Sequence, residues 1–354
     1  MSIRNSIFPE LWSPAVFLLA LTAACAGDKD EEGTDTDADT DGDTDSDTDS
    51  DTDSDTDADT DTDPVVPVFD VVSDTPDLAE TVDVAATATG LWAVGFNAGA
   101  VAAIVSIDQA TGAVTELFSG APLVVPVGLA VSADGATLYI ADVAAPEGDG
   151  STNGAVWSMP VAGGALTGLG TAGTIDLPGD VATSATGDLW VTGMNLSGDP
   201  AIFSVDAAGG AVAEVFVGDP LVDPLAIAAT ADGSTVYVLD SMGEEGSGAL
   251  FSFTNPGFVA TLIAMNFEVE FPGGLAVNPD NSWVYYSQTG STSATAPRSG
   301  AALVRIKPDG TLWEVVSDTP SSLVLPAGVA AISGTTFVAD LSTLAMGDVF
   351  SYAY

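Results

Sequence analysis

Carboxylates are the reactive side chains this chain has in quantity: 51 acidic residues stand against 5 basic ones. Histidine is absent, and cysteine occurs once, at Cys25. A serine or cysteine nucleophile therefore has no imidazole base, and a zinc site built on imidazole is excluded. What remains is carboxylate chemistry, either calcium-assisted hydrolysis or paired-acid cleavage of a glycoside. Two acids stand out by position. Asp83 and Asp180 hold matching places in the apolar segments Thr81–Ala85 and Pro178–Ala182. Ca2+ is the ion that carboxylates suit. Two carboxylates supply few of the six to eight oxygens Ca2+ takes, so backbone carbonyls and water would have to complete the set. No cofactor is required.

A second set of acids, Asp142, Asp240 and Asp340, recurs where a β-branched and aromatic run ends. An aspartate there either bonds the amides of the following loop, as Asx turns do, or joins a ring of carboxylates around one mouth of a channel. The first role is the one expected. Beyond these runs lie long, varied loops that hold Glu147, Asp149, Asn195, Glu244, Glu245, Gln288 and Arg298. Long variable loops on a rigid scaffold usually carry recognition, so these residues are the candidate binding face. Trp92, Trp157, Trp190 and Trp283 fall at strand positions and read as core.

The elements that position these residues are repeats. The run Pro126-Val-Gly-Leu-Ala-Val-Ser-Ala-Asp-Gly-Ala-Thr-Leu-Tyr-Ile-Ala-Asp142 has variants beginning near Thr81, Pro178, Pro224, Pro272 and Pro326. The alanine after the first apolar residue falls at Ala85, Ala130, Ala182, Ala228, Ala276 and Ala330, with gaps of 45, 52, 46, 48 and 54 residues. A strand-like repeat of this period makes propeller blades. Within one repeat, Gly128–Ser132 is a small-residue inner strand and Ala133-Asp134-Gly135 a tight turn. Leu138–Ala141 is a second strand, and Gly154–Met159 alternates as a third. The chain is therefore read as all-β, a six-bladed β-propeller over residues 64–354. Val71-Val-Ser-Asp-Thr-Pro76 recurs as Val315-Val-Ser-Asp-Thr-Pro320, and the sixth repeat holds only three strands before Tyr354. An N-terminal strand over 65–73 is expected to complete the C-terminal blade and close the ring.

The Pro-x-Gly-Leu-Ala-x-x-x-Asp-Gly-x-Leu-Tyr-x-Ala-Asp run at Pro126–Asp142 resembles the six-bladed propellers of the NHL-repeat and gluconolactonase-like superfamily. The resemblance covers about 290 residues, Pro64 to Tyr354. It implies the six-bladed fold and a calcium-dependent lactonase or ester hydrolase activity. Such enzymes place Asn or Asp just after the proline that leads into the inner strand. The matching positions here are Val82, Val127, Gly179, Leu225, Gly273 and Ala327, none with a ligating side chain. Asp83 and Asp180 lie one step later, and the resemblance makes them the candidate Ca2+ ligands.

Two segments precede the propeller. Residues 1–24 read as a signal peptide with a seven-residue apolar core, Ala15–Leu21, too short to span a bilayer. Leu21-Thr-Ala-Ala-Cys25 resembles a bacterial lipobox, which implies lipidation of Cys25 and stable membrane anchoring by more than one acyl chain. Residues 25–63 then form a linker in which every odd position from Asp35 to Asp63 is Asp. It has no apolar surface to bury and is expected to be disordered and extended by its own charge. From Ala26 to Asp63 it reaches on the order of 120 Å fully stretched. Asp37-x-Asp39-x-Asp41-Gly42 begins like an EF-hand loop, but its twelfth position is Thr48 where the loop needs Glu. The spacer reading is the better one.

Residues 64–354 contain 31 acids and three bases, Arg298, Arg305 and Lys307. Phosphate backbones are repelled, which excludes nucleic acid, whereas cationic, glycan and protein ligands remain compatible. The sequence thus reads as a monomeric, lipid-anchored cell-envelope propeller, an outer-membrane lipoprotein facing the periplasm or the surface. Its expected role is that of a non-catalytic binding or scaffold module. The alternatives are the calcium-dependent hydrolase and a calcium-assisted adhesion module.

Overall fold

The computed structural model describes residues 69–74, 78–144, 154–171, 174–243, 247–290, 300–317, 323–341 and 348–353. It opens with β1 (Phe69–Asp74). Blade one is β2 (Glu80–Ala86), β3 (Leu91–Phe96), β4 (Ala102–Ile107) and β5 (Val114–Ser119). Blade two is β6 (Pro126–Val131), β7 (Thr137–Asp142), β8 (Ala155–Pro160) and β9 (Thr167–Gly168). Blade three is β10 (Ile175–Thr183), β11 (Leu189–Asn195), β12 (Pro200–Val205) and β13 (Val212–Val217). Blade four is β14 (Pro224–Ala229), β15 (Thr235–Asp240), β16 (Gly248–Thr254) and β17 (Val259–Phe267). Blade five is β18 (Leu275–Val277), β19 (Val284–Gln288), β20 (Ala302–Ile306) and β21 (Trp313–Val315). Blade six is β22 (Pro326–Ile332), β23 (Thr335–Asp340) and β24 (Asp348–Ala353), with β1 drawn beside β24.

Five of the sheets are four-stranded antiparallel meanders and β22–β24 run in the same way in the sixth, so the architecture is an all-β, six-bladed propeller. The first strand of each blade packs on the first strands of its neighbours, so these strands form the inner ring. They are rich in Gly, Ala and Val, residues small enough to crowd around an axis. Second and third strands are buried on both faces because each blade is covered by the next; all of Leu138–Asp142 is buried. Outer strands β5 and β13 are partly exposed along their length. Turns between first and second strands follow the Asp-Gly chemistry of the sequence. At Gly135 the backbone takes φ +69°, and its N–H donates to Ser132 O at 2.8 Å.

One feature of the inner strands decides what their side chains can reach. Pairing between the first and second strands slips by a bulge near the start of five blades: at Thr81/Asp83, Pro126/Gly128, Asp176/Asp180, Pro224/Ala226 and Pro326/Val329. A bulge re-aims a side chain away from the regular alternation. In blades one and three the residue just after the slip, Asp83 or Asp180, reaches the neighbouring blade.

Candidate functional site

Asp83 and Asp180 sit at those bulges and are buried, 7% and 8% exposed. Each carboxylate spends one oxygen on its own blade and one on the next. Val84 N–H donates to Asp83 Oδ1 at 2.8 Å, and Leu129 N–H, in blade two, donates to Oδ2 at 2.6 Å. Val181 N–H donates to Asp180 Oδ1 at 2.6 Å, and Ile227 N–H, in blade four, donates to Oδ2 at 2.9 Å. The two aspartates therefore clasp blade one to blade two and blade three to blade four.

On its other side each aspartate needs a glycine in the preceding blade. A Cβ on Gly128 would lie 2.7 Å from the Asp180 Cα. A Cβ on Gly328 would collide with the Asp83 carboxylate and its backbone. The sequence Gly128, Asp180 and the sequence Gly328, Asp83 are thus steric pairs across blade boundaries.

Burial pushes the Asp83 carboxyl up to about 8 from its ordinary range, against the lowering effect of the Val84 and Leu129 amides. Asp180 is raised well above that range, first by burial and then by the charge of Asp83. The two aspartates meet neighbouring residues of one inner strand: Asp83 accepts from Leu129 N, and Asp180 packs against Gly128. Among the described residues no group of three or more acids or cysteines converges to hold a metal ion.

Asp142, Asp240 and Asp340 are fully buried at the opposite end of the second strands from the Asp-Gly turns. Each fastens the loop that leads into its own blade. Asp142 accepts from Val124 N at 2.7 Å, Val125 N at 2.9 Å and Ala144 N at 3.1 Å. Asp240 accepts from Val222, Asp223 and Met242 amides, and Asp340 from Val324 and Leu325 amides. Burial raises the Asp240 carboxyl and lifts Asp340 to about 6. These carboxylates point into loop backbone, the Asx-like role, and line no open mouth among the described residues.

Blades one and three replace this aspartate by Gly95 and Gly193, and there the approach loop lies directly against the second strand. A Cβ on Gly95 would collide with Glu80 O, and one on Gly193 would lie 2.9 Å from Leu177 O. Blades one and three carry a clasp aspartate inside and glycine at the strand exit, blades two and six the reverse, and blade four has Ala226 inside with Asp240 at its exit. The signal was present in the sequence as glycine aligned with Asp142. Blade five fits neither kind. It carries Gly274 inside and Gln288, fully buried, at the exit, and Ser287 Oγ accepts from Gly274 N at 2.8 Å.

Of the remaining candidates, Asn195 is 8% exposed and its Oδ1 accepts from Ser197 N and Asp199 N, a turn-forming role. Glu147, Asp149, Glu244, Glu245, Arg298 and Cys25 lie outside the described residues, as do the linker and residues 65–68 of the expected closing strand. Trp92 and Trp190 are buried as their strand positions imply. Trp283 is covered on its ring by Arg305, 4.4 Å from the centroid, and Lys307, 3.8 Å from it.

No family model and no curated protein sequence matches this chain. Solved structures do. A PQQ-bound aldose sugar dehydrogenase from Streptomyces coelicolor aligns over 82% of this chain and 99% of its own, at 12% identity and a TM-score of 0.56. A gluconolactonase from Xanthomonas campestris aligns over 81% of this chain and 89% of its own, at 14% identity and 0.53. A putative TolB from Agrobacterium tumefaciens covers 81% and 91%, also at 14% and 0.53. The likeness is one of fold. The aligned structures belong to proteins of differing function, so the likeness carries no activity to this chain.

Proposed function

We propose that this chain is a lipid-anchored binding or scaffold module of the cell envelope. Cys25 holds the membrane and the aspartate-rich linker lifts the propeller from it. The long-loop face, where approach loops and second-strand exits meet, takes a cationic or cation-bridged partner. In this reading the N-terminal strand also completes blade six and closes the ring. Among the described residues no helix is long and apolar enough to cross a membrane, and the anchoring rests on Leu21–Cys25.

One observation carries the non-catalytic part. The two inner-ring carboxylates, which a calcium hydrolase would turn toward a metal, give both oxygens to backbone amides of adjoining blades. Their work is architectural, and each is buried enough to favour the neutral acid over a charged ligand.

The test has two arms. Metal-free protein titrated with Ca2+ should show no stoichiometric tight binding and no lactone hydrolysis above background. Calcium-dependent lactone hydrolysis that Asp83→Ala or Asp180→Ala abolishes would replace this reading by the hydrolase. In cells fed a palmitate analogue, the wild-type chain should be labelled and Cys25→Ser should not. Equal labelling of both refutes the anchor.

A further inference from the structure

Blades three and four carry an apolar strip on the long-loop face. Asp240 fastens two segments there. Its Oδ2 accepts from Val222 N at 2.8 Å and its Oδ1 from Met242 N at 3.0 Å. One carboxylate thus holds the two backbones together, and both residues are about half exposed, 43% and 51%. From Val222 the strip continues toward blade three. A turn closed by Leu221 N–H donating to Gly218 O at 3.1 Å leads back to Val217. Gly218 N–H in turn donates to Pro200 O at 2.8 Å, at the foot of the hairpin whose tip holds Leu196. Val217 and Leu196 are exposed as well.

The aspartate clip is shared by three blades, but the exposed apolar pair belongs to blade four. In blade two the same clip holds Val124 and Ala144, both half-buried. In blade six it holds Val324, and the residue two places after Asp340 is Ser342. Blade four puts a methionine at that place, a flexible side chain that moulds itself to a partner's surface.

Charge selects the partner. Asp199 and Asp219 stand exposed beside the strip, and Glu244 and Glu245 follow Met242 in the chain. No Lys or Arg occurs from Pro64 to Pro297, so blades one to four contain no base. Apolar side chains rimmed by acids match a segment whose own apolar residues are rimmed by Lys or Arg. The other occupants fail on charge. The aspartate-rich linker and a second copy of this chain both carry a large excess of acid, and an anionic lipid surface repels in the same way. A bare metal ion would pair with carboxylates and leave the apolar side chains in water.

We propose that this rim of blades three and four binds a basic amphipathic segment of another protein, its apolar side chains on Val222 and Met242 and its Lys or Arg on Asp199 and Asp219. The inference rests on the reading of the long-loop face given above and adds where on that face, and by what chemistry, the partner is held.

The chain has six methionines, so ¹³C-methyl labelling of the full chain gives a simple spectrum. The Met242 signal is identified by its loss in Met242→Leu. The probe is a synthetic peptide of about 14 residues, close to four helical turns, with Leu on one face and Lys on the other. One control peptide has Ser in place of Leu, and another has Glu in place of Lys. The Leu–Lys peptide should move the Met242 signal saturably, and both controls should bind at least tenfold more weakly. Val222→Ser, which keeps the N–H bond to Asp240, should weaken binding about fivefold, the partial burial of one apolar side chain. EDTA should change nothing. No saturable shift at Met242 overturns the proposal, as does binding that Val222→Ser leaves unchanged or EDTA abolishes. Equal binding of the Ser–Lys peptide, or a Leu–Lys shift at Met346 of the blade-six loop without one at Met242, overturns this site and leaves the long-loop face as a cation-binding face. Binding of neither cationic peptide at any methionine overturns both.

Discussion

Replacing Asp83 with Asn should change how stability depends on pH, and the direction follows from its burial. In the unfolded chain the carboxyl titrates near its ordinary value of 3.8; in the folded ring it is raised to about 8. Between those values the native state holds a proton that the unfolded state has released. Stability from this group is therefore full below about pH 4, falls as pH rises, and is lost once pH passes about 8. A shift of about four units corresponds to roughly 6 kcal/mol at 1.36 kcal/mol per unit, and relaxation around a buried group brings the expected effect nearer 3 kcal/mol. Asn cannot titrate. Its Oδ1 can accept one amide, but its NH2 cannot accept the other, so Val84 or Leu129 N–H loses its partner, costing about 1–2 kcal/mol. The curves should cross: wild type more stable at pH 5, Asp83→Asn equal or more stable at pH 9. Urea midpoints at pH 5, 7 and 9, read as the difference between the two proteins, remove the general self-repulsion of a strongly acidic domain. A wild-type-minus-variant difference that stays constant across this range would refute the assignment of a raised, buried carboxyl.

Three further outcomes follow from the same geometry. Gly128→Ala should cost about 3 kcal/mol or prevent folding, because its Cβ would press on the Asp180 backbone, whereas Gly198→Ala, with nothing within 4 Å and φ +76°, should cost only about 1 kcal/mol; denaturant midpoints compare them. Asp142→Ala strands three amides that it now satisfies and should lose about 3 kcal/mol or more, seen as an early thermal transition. A chain beginning at Pro64 should melt cooperatively and one beginning at Pro76, without β1, should aggregate or melt broadly; if both melt alike, the last blade is completed in another way.

Blade number was legible because the repeated alanine keeps its place from Ala85 to Ala330 while the loops change length. The strand-exit role of Asp142, Asp240 and Asp340 was legible for a local reason, since the amides they bind lie within 18 residues. The clasps were not. Asp83 meets an amide 46 residues away and Asp180 one 47 away, and nothing local to either aspartate distinguishes a metal ligand from a bond to the next blade. The glycines that make room for them, Gly128 and Gly328, stand one blade earlier and read as ordinary small residues. Trp190 was correctly placed in the core by its strand position.

The two clasps also divide the ring unequally. Asp83 rests on Gly328 of blade six and binds blade two, so it ties blades six, one and two. Asp180 rests on Gly128 of blade two and binds blade four, tying blades two, three and four. Five blades are thereby linked into one continuous arc. Blade five belongs to neither triple, has the three-residue inner strand β18, and keeps its Ser287–Gly274 bond within itself. It acts as a keystone set between the arc's two ends. Breathing of the ring, the transient solvent entry that amide exchange records, should therefore begin at the two seams flanking blade five and spread last to blade two, the one blade held by both aspartates.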